Sequence, residues 1–409
     1  MLYTRAMGKL GIEFEFERIG KYKSAVESYS QDSLSDAARE DREAILNDVF
    51  DELTSGIAAG RSIPADSVAG LIDRGPFVSV EAKNAGLVDQ IAYEDELDGI
   101  VRERIARHAR RIDLRDLTRR RDHRYTWGPV PQVAVIFAEG TILSGEDRNH
   151  LLLGEIMGSQ TIAKAIRAAR NDSDVKAIVL RIDSPGGDGP ASDIIWREVK
   201  QTIGVKPLVV SMSDVAASGG YYIACAADSI FASPATITGS IGVFAGKLSL
   251  AGLYEKIGIT TETSTRGAHA DMYSLDRPFT DDEREIVRHQ IGMFYNNFLK
   301  IVADGRRRTP QEIDSVAQGR VWTGKAAQRH GLVDAFGGLP RAIRAAAQMA
   351  GIEHEDYGVS ILPHAPWALF EWPSPLGILG LHGVDLPVEL SDLSNQHLWY
   401  LLPWRLEIR

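Results

Sequence analysis

Ala177-Ile178-Val179-Leu180-Arg181-Ile182-Asp183-Ser184-Pro185-Gly186-Gly187 carries an apolar strand pattern straight into a glycine turn, and this junction decides the fold. The run Ala177 to Leu180 suits a strand buried on both faces, which needs no polar alternation. Upstream, Val133-Ala134-Val135-Ile136-Phe137 reads the same way, and Ile156 to Ala169 repeats apolar residues at helical spacing. Downstream follow a helix over about Ala191 to Thr202, a third strand from Leu208 that ends at Met212, and a small-residue helix beginning near Ser218. Strands alternating with helices of this length predict crossover units, an α/β class and a mostly parallel sheet. Further on, Thr280 with Glu283 predicts a capping box. The helix it opens puts Ile286, Val287, Ile291, Phe294, Phe298 and Ile301 on one apolar face.

Two glycine pairs then stand where strands end: Gly186-Gly187 after the second strand and Gly219-Gly220 after the third. In a parallel sheet both lie at the carboxyl edge, where open sheets hold their ligands. Glycine lets the backbone approach a substrate closely, so its N–H groups can face a developing oxyanion. Each feature alone has an ordinary explanation. A Pro-Gly-Gly sequence is a common turn, Ser218 is a good N-cap, and Cys225 reads as a buried packing residue. Both pairs on successive strand ends favour Ser218 as a nucleophile.

A serine nucleophile needs a base, and no histidine near either pair is an obvious candidate; His269 lies in Arg266-Gly267-Ala268-His269-Ala270. An internal repeat supplies another residue. Lys9-Leu10-Gly11-Ile12 recurs as Lys256-Ile257-Gly258-Ile259, almost 250 residues on, with Gly20 matching Gly267. Ser35-Asp36 with Arg39-Glu40 answers Thr280-Asp281 with Arg284-Glu285, and Ala85-Gly86-Leu87-Val88-Asp89 answers His330-Gly331-Leu332-Val333-Asp334. At this offset Lys23 corresponds to Ala270. One copy keeps a lysine and the other a serine site, the pattern expected of a centre assembled from both. Spacing alone leaves a surface lysine as the alternative.

Composition narrows the remaining classes. The 409 residues carry a net charge of -10, which disfavours a nucleic-acid groove. The basic run Arg119 to Arg124 reads as solvated linker, since no aromatic residue interleaves it. The only cysteine excludes an intramolecular disulfide and a Cys-rich zinc site. No metal or cofactor is called for. No run of 18 apolar residues occurs, and Glu13, Glu15 and Glu17 stand where a signal peptide needs an apolar core.

Gly20 to Glu27, Asp183 to Gly187, Ala217 to Tyr222 and Thr238-Gly239-Ser240-Ile241-Gly242 together resemble signal peptide peptidase A, also called protease IV, in its long duplicated form. The likeness covers about residues 1 to 345. It implies a Clp-protease or crotonase-like fold of repeated ββα units, here with an incomplete first copy. It also implies a serine endopeptidase that degrades cleaved signal peptides or other apolar peptides at the membrane. Carried over, Ser218 is the nucleophile and Lys23 the base; Ser240 positions the lysine; Gly219 with Gly187 or Gly186 forms the oxyanion hole. The family assembles as a homo-oligomeric ring on the periplasmic face of the inner membrane. By this reading residues 1–95 are a truncated first repeat, 96–130 a charged connector, 131–350 a complete second repeat and 351–409 an aromatic-rich tail. The family's anchor and the first repeat's own sheet strands are missing, so membrane association would run through an absent N-terminal segment. The tail, with Trp367, Trp372, Trp399 and Trp404, is expected to pack on the body rather than rest on a membrane interface. Two alternatives stand beside the peptidase. A crotonase-type acyl-CoA enzyme would need an acid near the hole, for which Asp188 is the near candidate, and a truncated chain could serve as an inactive scaffold subunit.

Overall fold

The computed structural model describes residues 2–109, 112, 130–150, 154–352, 356–363 and 398–401. The run Arg119 to Arg124 and Trp367, Trp372 and Trp404 lie outside them. Two compact units divide the chain, Met1–Asp48 with Val130–Arg409, and Val49–Pro129.

The first unit is built on an eight-stranded sheet. Its centre is β2 (Gln132–Glu139), β6 (Val175–Ser184) and β8 (Leu208–Ala217), all parallel, flanked by β14 (Gly358–Leu362) on one side and β10 (Ile237–Gly239) on the other. At that end β12 (Val321–Thr323) is antiparallel to β10, while β9 (Ser229–Ala232) runs parallel to β8 and carries β13 (Ala335–Phe336), parallel to it, to complete the eight among the described residues. Successive side chains of a strand point to opposite faces, and here both faces are buried. Ile178, Leu180 and Ile182 join the core under helices Ser159–Asn171, Gly189–Thr202, Gly219–Ala224 and Asp281–Arg306, whereas Ala177 and Val179 pack with helix Leu339–Met349. Two-sided burial is why the sequence shows a continuous apolar run rather than alternation.

A second, seven-stranded sheet is mixed, in the order β1 (Glu13–Ile19), β11 (Val243–Ser249), β15 (Leu398–Leu401), β7 (Gly186–Asp188), β3 (Thr141–Leu143), β5 (Gly154–Gly158) and β4 (Arg148–His150). The parallel expectation holds for the first sheet; in the second only the β3 pairings with β5 and β7 are parallel. Three local expectations need correction. Residues from Ile156 to Gly158 are strand, and the helix begins at Ser159. The strand expected to end at Met212 continues to Ala217, so Ser218 follows it directly. The first copy is not without strands, because Glu13–Ile19 pairs with β11 over its whole length. Its carboxylates find partners: Glu15 lies 2.8 Å from Arg284 and Glu17 2.8 Å from Arg288. A half-buried strand tolerates charge when that charge is paired.

The second unit, considered by itself, holds the helices Ala65–Arg74, Ser79–Asn84 and Leu97–Arg104. Within it the Arg61 side chain donates to the Gly86 carbonyl at 2.9 Å. Its Gly86 (φ 75°) has a counterpart in Gly331 (φ 68°), and helices Asp36–Arg61 and Asp281–Arg306 have 26 residues each.

Candidate active site

The site starts at the end of β8. Ser218 follows Ala217 and precedes helix Gly219–Ala224, with φ 54° and ψ −114°. A non-glycine residue held there costs about 1–3 kcal/mol and needs fixing from both sides. Its N–H donates to the Gly239 carbonyl at 2.8 Å, and its own carbonyl accepts the Tyr222 N–H at 2.8 Å. Its side chain makes no N-cap bond. The hydroxyl is engaged elsewhere, with Lys23 Nζ 2.8 Å from Ser218 Oγ.

The lysine arrives from β1. That strand ends at Ile19, and Gly20 turns the chain with φ 111°, passing so close to Gln318 that a Cβ would lie 2.5 Å from its carbonyl carbon. The Tyr22 N–H donates to the Gln318 carbonyl at 2.8 Å, and the Lys23 carbonyl accepts from Arg18 at 3.1 Å. Gly319 lies against Lys23 in turn, where a Cβ would meet the Lys23 nitrogen at 2.5 Å. The amine therefore enters a space closed by backbone. It also reaches Ser240, donating to Oγ at 3.0 Å and to the carbonyl at 3.1 Å. Lys23, Ser218 and Ser240 are all fully buried. Burial holds the Lys23 amine well below its ordinary value, because removing water penalises the charged form. Ala270, its match in the repeat, is exposed.

The glycine pairs converge on the same point. A Cβ on Gly219 would stand 3.1 Å from the Gly187 nitrogen and 3.2 Å from the Gly186 Cα. Gly186 itself has φ 101°, and a Cβ on Gly187 would strike the Ile142 carbonyl oxygen at 2.0 Å. These close approaches require glycine for steric reasons. β7 pairs on one edge with β3 and on the other with β15, which sets Tyr400 opposite Gly187 and Leu401 opposite Gly186. Part of the tail thus joins the body by backbone pairing, with Trp399 in that strand.

Other singled-out residues lie apart from this cluster or serve packing. Cys225 is buried, and burial pushes its thiol up to about 12. His269 pairs loosely with Glu283 at 4.0 Å. Asp188 caps helix Gly189–Thr202: its carboxylate accepts the Ala191 N–H at 2.9 Å and the Ser144 hydroxyl at 3.3 Å, and burial raises its pKa. Sequence reasoning passed over Asp41 and Arg320, which brace the lysine loop. Asp41 is fully buried 3.3 Å from Arg320 and accepts the Val321 N–H at 3.1 Å. Asp41 sits between Glu40 and Arg42 in helix Asp36–Arg61, where nothing in the sequence marks it as buried.

A buried amine whose pKa burial depresses, a strained serine beside it and the Gly187 and Gly219 backbones close by are parts that acyl-transfer chemistry can use. The model of peptidase family S49 matches residues 1–104 and 200–353. The chain belongs to peptidase family S49. Among its relatives, the chloroplastic serine protease SPPA of Arabidopsis thaliana is 39% identical over 352 residues, 84% of this chain and 52% of that protein. Protease 4 of Salmonella typhi is 34% identical over 373 residues, 87% of this chain and 59% of that protein. This S49 chain thus spans a little over half the length of these two relatives. A ClpP1 variant from Listeria monocytogenes aligns in structure at a TM-score of 0.33 and 16% identity, covering 51% of this chain and 94% of the other.

Proposed function

We propose that this chain is a serine endopeptidase working through a Ser218–Lys23 dyad, with Ser240 positioning the lysine and Gly219 with Gly187 or Gly186 as oxyanion hole. The reading is carried by one observation, the 2.8 Å approach of a fully buried amine to the Ser218 hydroxyl. The neutral amine takes the Ser218 proton as Oγ bonds to the substrate carbonyl carbon. The carbonyl oxygen becomes an oxyanion facing the glycine N–H groups. Collapse breaks the peptide C–N bond, and the lysine proton goes to the leaving amine. Water, deprotonated by the same lysine, then bonds to the acyl carbon, and the C–Oγ bond breaks as the lysine returns that proton to Ser218 Oγ.

The proposed substrates are cleaved signal peptides and other apolar peptides at the membrane, handled by a ring of copies. Among the described residues no helix is long and apolar enough to cross a membrane. The proposed organisation is a truncated first repeat over 1–95, a connector over 96–130, a complete repeat over 131–350 and a tail over 351–409. Support for the duplication comes from the paired 26-residue helices and the matching left-handed caps Gly11 (φ 79°) and Gly258 (φ 75°).

Ser218→Ala is expected to abolish cleavage of an apolar peptide and labelling by a fluorophosphonate. Lys23→Ala is expected to lose about 10²–10⁴-fold in rate, the usual contribution of a general base. Circular dichroism would check that both variants fold. Near-full activity in folded Lys23→Ala would refute the dyad.

A further inference from the structure

The groups that hold Lys23 belong to two distant parts of the chain, and Arg320 touches both. Its carbonyl accepts the Ser240 N–H at 2.7 Å. Ser240 is the residue whose hydroxyl and carbonyl both meet the Lys23 amine, and it does so with φ 53°, a conformation that needs an outside tether. The Arg320 guanidinium meanwhile engages the lysine-bearing segment. It donates to the Tyr22 hydroxyl at 3.3 Å, stands 3.0 Å from the Glu40 carboxylate and 3.3 Å from that of Asp41. Its plane lies over the Tyr22 and Trp322 rings, 4.7 and 4.6 Å from their centroids. Tyr22 directly precedes Lys23, and Asp41 accepts from Val321, the residue directly after Arg320.

We propose that Arg320 is a positioning residue for the base: its carbonyl holds Ser240 while its guanidinium fork holds Tyr22, Glu40 and Asp41, so that one residue seats the Lys23 amine against Ser218. This rests on the reading of Lys23 and Ser218 as base and nucleophile. The physical reason lies in what keeps the amine neutral. Desolvation is the cause of its lowered pKa, with no charged partner contributing. A loop loosened by about 1 Å would both spoil the reacting distance and let water reach the amine. Rehydration moves the amine back toward its ordinary value, so a higher pH is needed to free its lone pair. Charge alone does not do this work. A lysine at 320 keeps the positive charge but has neither a fork nor a plane to stack.

The ionisable groups around the cluster are Glu40, Asp41 and Tyr22, together with Lys21, 3.9 Å from Glu40, and His330, whose ring lies tilted against Trp322 with centroids 4.3 Å apart. Burial raises Asp41 to about 7. The test therefore follows the whole limb from about pH 5 to about pH 10.5, and Arg320→Lys, which keeps a positive charge beside Asp41, separates the lysine titration from that of Asp41.

Fluorophosphonate labelling of Ser218 is followed against pH in the full chain and in Arg320→Gln and Arg320→Lys, with circular dichroism as the check on folding. Both variants are expected to show the rising limb displaced upward by about one pH unit, which is about a tenfold slower rate on the rising part of the limb. Their rates should approach wild type at the alkaline end. Displacement in Arg320→Gln alone overturns the proposal in favour of a simple charge effect. Unmoved limbs in both variants, with or without lowered stability, make Arg320 merely structural and also overturn it. If the Arg320 variants misfold, Tyr22→Leu removes the stacked ring and hydroxyl while keeping the arginine. It should displace the limb in the same direction by a smaller amount, and an unmoved limb there overturns the proposal. A wild-type chain that is unlabelled at every pH overturns the nucleophile reading itself, and this inference with it.

Discussion

Replacing Lys23 with methionine tests the protonation state of the amine without relying on any substrate. Methionine is long, unbranched and adaptable, so it suits the space vacated by the lysine stem. It leaves the Ser218 and Ser240 hydroxyls without the amine, at a cost of about 1–3 kcal/mol for each buried group left unsatisfied. That cost does not depend on pH. The proton linkage does. In the native protein desolvation depresses the Lys23 pKa, whereas the unfolded chain keeps it near 10.4. Between those two values the unfolded state binds one proton more than the native state, so native stability rises with pH across that window. Below the depressed native value both states are protonated and the penalty is constant; above about 10.4 neither is protonated and the penalty is gone. The slope is about 1.4 kcal/mol per pH unit, so wild type should gain about 2 kcal/mol on Lys23→Met for each 1.5 pH units inside that window, read upward toward about 10.4. Urea unfolding of both proteins at matched ionic strength measures this, since other titrating groups contribute equally and cancel. Parallel stability curves would mean that the native amine is charged at these pH values. A charged amine has no lone pair, and the base assignment would fail.

Two further outcomes follow from the geometry. Asp188→Asn keeps an N-cap of equal quality, so stability should hold within about 0.5 kcal/mol and peptide cleavage should persist; a hundredfold or greater loss in a cleavage assay would return Asp188 to the role of catalytic acid. Ending the chain after His397 removes β15, through which β11 and β7 are joined, and exposes the backbone edge of Gly186–Asp188. Fluorophosphonate labelling of Ser218 should then accelerate, and an unchanged rate would show that the tail strand does not shield this edge.

The parts of the site legible in the sequence are those whose cause is local. An apolar strand buried on both faces leaves a continuous run, as Ala177 to Leu180 does. A backbone so close to another that a Cβ would lie within about 3 Å of it leaves a glycine, as at Gly187, Gly219 and Gly20. Ser218 becomes visible because it stands between such signals. β1 was harder to see, because alternating Glu and Phe satisfy a strand only once Arg284 and Arg288 are known to face the carboxylates. β15 lacks a local signature, being defined by the two edges it bridges.

The bracing of the lysine is illegible for a further reason. Ser240 and Ser218 are held at positive φ without being glycine, so the sequence gives no hint of the conformation. What keeps Ser240 there is a carbonyl, that of Arg320, and every residue has a carbonyl. Asp41 looks like an ordinary second-turn acid of a long helix, yet it is fully buried and bonded to Val321, 280 positions away. Such contacts arise only after the N-terminal segment has docked through β1 and Gly20 has met Gln318. On the proposed reading the base is an outcome of docking: until the loop is seated the amine is hydrated and charged, and the desolvation that lowers its pKa and leaves it a neutral proton acceptor is supplied by the same contacts that bring it to Ser218. Proximity and activation are one event in this site. For that reason a mutation that loosens the loop should show its effect first in the pH dependence of labelling and only later in the amount of folded protein.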